Sequence, residues 1–389
     1  MADDKPPVAN GMNANGEIAS LDGLRGIAAL CIVLYHAQGV FAFWPPAAFL
    51  AGAFGKYYLF VDLFFVLSGL VIARSSARLF DSDFSARTYR SFMRARLIRL
   101  WPVHLVTLAI LVVIELSLLW GVERGVFDPG FAPFDRPEAN PVNLLTTAFM
   151  LQSWGFHDKL VWNVPSWFIS ALLFAYLAYP FVLRATRSLT RTSRAAFFVL
   201  TGGVLSLALH AAYELDYFAA PHDIPFIRAL LAFMLGCGLS FLEPGKWDER
   251  LPYAQPVLVV AILACFHLKA PDTLSVFLLA LFIRSLQFDK GRVAHALAAR
   301  PFRFLSKISF SLYMTHFIGL FLIDSFGQIN HEIPKNMFRD EAMGVNIAAR
   351  FALLILFAWA FWRYVEEPMR RWLTQTPQAA TALSAGGRP

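Results

Sequence analysis

The residues most able to do chemistry stand in apolar surroundings. Arg25 and His36 are eleven positions apart in the run Leu21–His36. At about 100° per residue the two share nearly one helix face, roughly 16 Å apart along it. An imidazole held in an apolar environment can act as a general base on a hydroxyl, or carry a transferred group itself. It can also simply satisfy a neighbouring carbonyl. Asp62, within Val61–Gly69, is a carboxylate that could orient His36 or meet an acceptor. Ser68 and Gly69 beside it are small enough to let two helices approach closely.

Further along, Arg94, Arg96 and Arg99 crowd the stretch before Trp101. Guanidinium forks suit phosphate, although a cluster of this kind also fixes membrane topology. Ser309, Tyr313 and His316 recur at i, i+4 and i+7, which is one helix face. Such a polar stripe lines a cavity or ties helices together. Glu366 and Glu367 precede Pro368, which is expected to end the last span, and an ion pair with the inner arginines is expected there. Cys31, Cys237 and Cys265 lack metal-ligand spacing and read as packing residues; no metal is expected.

The elements that must position these groups are membrane helices. Of 389 residues 57% are hydrophobic and 16% charged, with a mean hydropathy of +0.53, and the apolar residues fall in runs. A span needs about 20 of them. Ten are predicted: Leu24–Phe43, Tyr57–Arg74, Trp101–Gly121, Pro165–Arg184, Ala196–Glu214, Phe226–Leu242, Tyr253–Leu268, Asp272–Phe288, Phe302–Phe326 and Val345–Val365. The fold class is therefore all-α, a polytopic membrane protein with one membrane domain at 21–373. Polar tails at 1–20 and 374–389 are expected to be disordered. Asn143–Trp154 is apolar but too short to span, and reads as an interfacial or re-entrant helix.

The net charge of +7 does not point to nucleic acid, because the arginines cluster in short loops on one side. Arg78 to Arg99, Arg187 to Arg194, Lys290 to Arg300 and Arg370–Arg371 all fall inside if the N-terminus is inside. Both termini are thus expected in the cytoplasm. The long outer loop Val122–Val164 is expected to cover an outward-facing site.

Taken in order, Leu-Asp-Gly-Leu-Arg-Gly at 21–26 with His36, Val-Asp-Leu-Phe-Phe-Val-Leu-Ser-Gly at 61–69, Arg-Ala-Arg at 94–96, Asn163–Trp167, Ser309–Tyr313 with His316, and Glu367-Pro368 resemble the acyltransferase 3 family of membrane O-acyltransferases. The resemblance spans most of the chain. It implies transfer of an acyl group, commonly acetyl, from cytoplasmic acyl-CoA to a hydroxyl of a carbohydrate or glycolipid acceptor, in the cell's inner (plasma) membrane. By motif match His36 is the catalytic histidine with Arg25 as companion. Arg94 and Arg96, with Arg99 beside them, face CoA; Trp167, Ser309, Tyr313, His316 and Glu367 belong to the pocket. Two positions depart from the family pattern: Leu172 stands where a glutamate is frequent, and Phe310 where a tyrosine is frequent. The rival reading is a transporter or flippase for a glycan or acyl species. Against it, no inverted repeat is visible, and nothing in the second half parallels Arg25 and His36.

Overall fold

The computed structural model describes residues 18–37, 53–126, 132–136, 138–157, 159–213, 225–329 and 343–375; the side chains of 209–213, 324–329 and 343–347 are outside this description. Among the described residues there is no β-strand. The helices are α1 (Ala19–His36), α2 (Phe60–Ser82, entered through a 3-10 turn Tyr57–Leu59), α3 (Ala86–Glu123), α4 (Pro141–Ala148), α5 (Trp167–Ala185), α6 (Arg191–Tyr213), α7 (Pro225–Phe241), α8 (Leu251–His267), α9 (Asp272–Leu286), α10 (Arg292–Leu297), α11 (Arg300–Ile329), α12 (Met343–Phe361) and α13 (Glu367–Gln375). Each of the ten predicted spans falls on one of them. Among the described residues six helical segments are long and apolar enough to cross a bilayer: Ala19–His36, Tyr57–Ser82, Ala86–Glu123, Val164–Ala185, Arg300–Ile323 and Ala348–Gln375. The rest are shorter or less apolar.

Three expectations need correction. The arginine-rich stretch before Trp101 is not a loop: α3 runs unbroken through it, capped by Ser85, whose hydroxyl accepts from the Thr88 amide at 3.2 Å. Pro102 lies inside this helix. Pro368 does not stop the last span either. A π-helical turn at Trp362–Glu366 is followed directly by α13, so Pro368 occupies a first-turn position, where a missing amide hydrogen costs little. Finally, Ala19–Ser20 and Thr374–Gln375, assigned to tails, are helical. Residues 1–17 and 376–389, and the expected end of the first span at 38–43, lie outside the described residues.

Packing follows from small residues. Gly69 of α2 and Gly236 of α7 interlock: an added Cβ would lie 2.0 Å from the Phe233 carbonyl oxygen and 1.9 Å from that of Val66, respectively. Only glycine permits so close a crossing. Gly23 brings α1 equally close to the Leu297 carbonyl of α10, at 2.0 Å for an added Cβ, and at Gly26 that Cβ would lie 2.7 Å from Leu305 and Ser306 of α11. Gly26 lies against Leu305 and His36 against His316, so α1 and α11 run parallel. Outward faces carry Val113, Leu116 and Trp120 on α3 and Leu353 and Leu356 on α12, all exposed, as lipid contact requires. The short helix α4 begins with Asn140 as its cap and Pro141 in its first turn. It is pinned to α3 by Trp101 donating to the Ala148 carbonyl at 2.9 Å and by His104 on that of Thr147 at 2.6 Å.

Candidate active site

A narrow cleft of about 70 Å³ opens between α1 and α11 on one side and α2, α3 and α5 on the other. Arg25 and Arg99 give it positive charge; Ser68, Ser309, Tyr176 and Tyr313 give it hydroxyls; Phe64, Phe168 and Phe310 line it with rings. Arg25 is bonded to Asp22 one turn earlier at 3.1 Å. Leu172, at the position where a glutamate was the family habit, is part of the cleft wall, so this wall is apolar there.

Tyr313 closes the far end. Its ring sits 5.3 Å from that of Phe168 and 5.9 Å from that of His316. Beyond it the two histidines meet: the rings of His36 and His316 are 5.1 Å apart, with Phe317 against both at 4.7 and 5.0 Å. His36 is exposed, whereas His316 is 1% exposed. Arg25, Ser309, Tyr313, His316 and His36, named separately from the sequence, are thus brought to one column along α1 and α11.

The structure separates other members of the expected set. Asp62 does not orient His36. Both its oxygens are taken by Arg228 of α7, at 2.9 and 2.5 Å, with side-chain exposures of 0% and 3%. Trp167 belongs to this ion pair rather than to the cleft, with the Arg228 guanidinium 5.4 Å from its ring centre and 5.7 Å from that of Tyr58. Next to it Asp272 accepts from Lys56 and from the Tyr58 hydroxyl, both at 2.6 Å.

Arg94 and Arg96 do not form one fork. Two residues apart on a continuous helix, they point about 200° apart. Arg94 lines an apolar groove of about 560 Å³ between α3 and α13, with Arg90, Trp101, Met369 and Trp372. Arg96 lies over the Phe92 ring at 5.1 Å, near Tyr176, and its Nε is buried without a hydrogen-bond partner. Arg99 is one turn on from Arg96, on the cleft side. Glu367 is held by Arg370 and Arg371 of its own helix; Glu366 instead accepts from Ser311 at 2.5 Å, within electrostatic reach of Arg99.

Sequence reasoning missed Arg228. The signal was present, since an arginine inside an apolar run demands a partner. Asn163 gains a definite place as well: its amide donates to the Met314 carbonyl and to Thr107, each at 3.1 Å. Among the described residues no cluster of three or more His, Cys, Asp or Glu side chains could hold a metal ion.

An all-helical membrane protein with an imidazole pair at the end of a cationic, hydroxyl-lined cleft belongs to the class of membrane-embedded group-transfer enzymes. The chain is a member of the acyltransferase 3 family: the family's acyltransferase domain matches residues 18–365, and the protein is an O-acyltransferase. It is 25% identical to the acyltransferase MdmB of Streptomyces mycarofaciens over 94% of this chain and 95% of that protein. It is 23% identical to a protein of Staphylococcus aureus (strain COL) provisionally named an O-acetyltransferase, over 91% of this chain and 57% of that longer relative. A shorter match, 39% identical over 92 residues, is to protein 2 of the picA locus of Rhizobium radiobacter, covering 23% of this chain and 42% of that one. No solved structure matches.

Proposed function

We propose that this enzyme moves an acyl group, acetyl in the first instance, from cytoplasmic acyl-CoA to a hydroxyl of a carbohydrate or glycolipid acceptor. In this reading ten helices cross the plasma membrane, with both termini in the cytoplasm. The observation that carries it is the column running from Arg25 and Arg99, past Tyr313, to His36. The arginines face the phosphates of the donor, aided by Arg96 at the cleft's edge. His36 lies about 16 Å further along α1. The slender arm that joins CoA's phosphates to its thioester suits a cleft too narrow for a nucleotide base. Rings along the wall keep water from the thioester. The acetyl group accords with the name of the Staphylococcus aureus relative, and the transfer reading with that of MdmB.

His36→Ala tests it. The purified variant is expected to insert and elute as wild type but to release no CoA from acetyl-CoA, with CoA quantified by chromatography. Wild-type turnover by a well-folded His36→Ala protein would remove His36 from the reaction.

A further inference from the structure

Two buried histidines each leave one ring nitrogen without a hydrogen-bond partner, Nδ1 of His104 and Nε2 of His316, and the second of them stands beside His36, with ring centres 5.1 Å apart. The Nδ1 of His316 is 2.6 Å from the Tyr313 carbonyl oxygen. A carbonyl only accepts, so Nδ1 carries the ring hydrogen, and in the neutral ring Nε2 carries the lone pair. That Nε2 is buried and has no hydrogen-bond partner. An acceptor-only atom deep in a membrane protein is costly unless something donates to it.

A second such atom lies beside the same turn of α11. Asn163 spends its amide hydrogens on Met314 and Thr107, which leaves Oδ1 buried and unpartnered. Nε2 of His316 and Oδ1 of Asn163 both only accept, and an acceptor alcohol supplies a donor in its O–H group. A thioester carbonyl does not.

The two histidines also differ in access. His36 is exposed and, among the described residues, makes no hydrogen bond. Its ring can therefore meet an incoming carbonyl carbon. The ring of His316 is buried and its Nδ1–H is held by the Tyr313 carbonyl, which leaves Nε2 able to accept a hydrogen bond from a small hydroxyl at the edge of the ring but gives no room for a thioester to come onto it.

We infer that His316 is the base that receives the acceptor hydroxyl's proton and that His36 carries the acyl group. This rests on the acyl-CoA reading above. In the first step a ring nitrogen of His36 attacks the thioester carbonyl. An N–C bond forms, the C–S bond breaks, and the hydrogen on the other ring nitrogen goes to the thiolate, giving free CoA. In the second step the acceptor oxygen attacks the acyl-imidazole. An O–C bond forms and the N–C bond breaks. The hydroxyl proton passes to Nε2 of His316 and on to the departing His36 ring, which restores both neutral imidazoles.

The two steps are separable without the natural acceptor. Exchange of label between acetyl-CoA and free CoA reports the first alone; slow acetyl-CoA hydrolysis, with water as the probe hydroxyl, reports both. The purified full-length wild type is expected to do both, and His36→Ala neither. His316→Gln should keep exchange within about threefold, while hydrolysis falls by roughly 10²- to 10⁴-fold, the usual contribution of a positioned base. His316→Asn should behave likewise, and guards against a folding defect of one variant. Wild-type hydrolysis in either variant would overturn the base assignment. So would a parallel loss of exchange and hydrolysis in a variant with an unchanged thermal transition. Hydrolysis without exchange in the wild type would overturn the carrier role of His36. A wild type inert toward acetyl-CoA in both assays would instead bring down the donor reading itself, and this inference with it.

Discussion

Replacing Asp62 by Asn leaves the shape of the side chain and removes its charge. Arg228, 3% exposed, then keeps its charge between the rings of Tyr58 and Trp167 with its carboxylate gone. Breaking a buried pair from one side typically costs about 3–5 kcal/mol. Asp272 still acts on Arg228 from nearby, so the lower end, about 3 kcal/mol, is the expected loss. That is roughly a 150-fold shift in the folding equilibrium. Thermal unfolding of the detergent-solubilised protein measures it, and Asp62→Asn should unfold well below wild type. The double variant Asp62→Leu with Arg228→Met should recover most of the difference, because apolar side chains of similar volume commonly replace a buried pair without loss. An Asp62→Asn protein as stable as wild type would refute the account. If that protein were also inactive, Asp62 would be acting on the reaction and not on the fold.

Arg99→Gln should weaken acetyl-CoA binding about ten- to a hundredfold, from the loss of one charge-assisted bond to phosphate, whereas Arg94→Gln, on the opposite face of α3, should bind as wild type; equilibrium binding of the purified variants decides. A lone cysteine at Val142, which is 78% exposed, in a protein lacking Cys31, Cys237 and Cys265, should react with an impermeant thiol reagent in intact cells; reaction only after lysis would invert the orientation. Gly236→Ala should abolish recovery of monodisperse protein, because its Cβ meets the Val66 backbone and a carbonyl in the middle of a helix has nowhere to go; normal yield would mean that α2 and α7 can part.

The places of the apolar helices were legible because hydropathy is a local property and runs of apolar residues survive any tertiary arrangement. The start of α3 was not. Arginine disfavours lipid but is a good helix former, and nothing between Ser85 and Pro102 breaks a helix. A rule based on hydropathy ends the span at Trp101, while the backbone continues to Ala86. The same oversight paired Arg94 with Arg96, which neighbour each other in sequence but not on a helix. The column of Arg25, His36, Ser309, Tyr313 and His316 was half visible: periodicity placed each set on a face, and only packing could show that the two faces meet. Asp62 and Arg228 are 166 positions apart, and neither residue encodes the other's address.

The glycine contacts carry a mechanical consequence. Gly69 with Gly236 locks α2 to α7, and Gly23 and Gly26 lock α1 to the elements before and within α11. Each pair has its backbones in direct touch, so neither can slide internally without a collision. The cleft lies along the seam between these two rigid leaves, bounded by Arg25, Ser309 and Tyr313 on one leaf and by Phe64, Ser68 and Val71 on the other. To widen for a substrate and close again, the two leaves would move as whole bodies. The distance between Ser68 and Ser309 then works as a gauge of that breathing, to be read with a pair of spin labels.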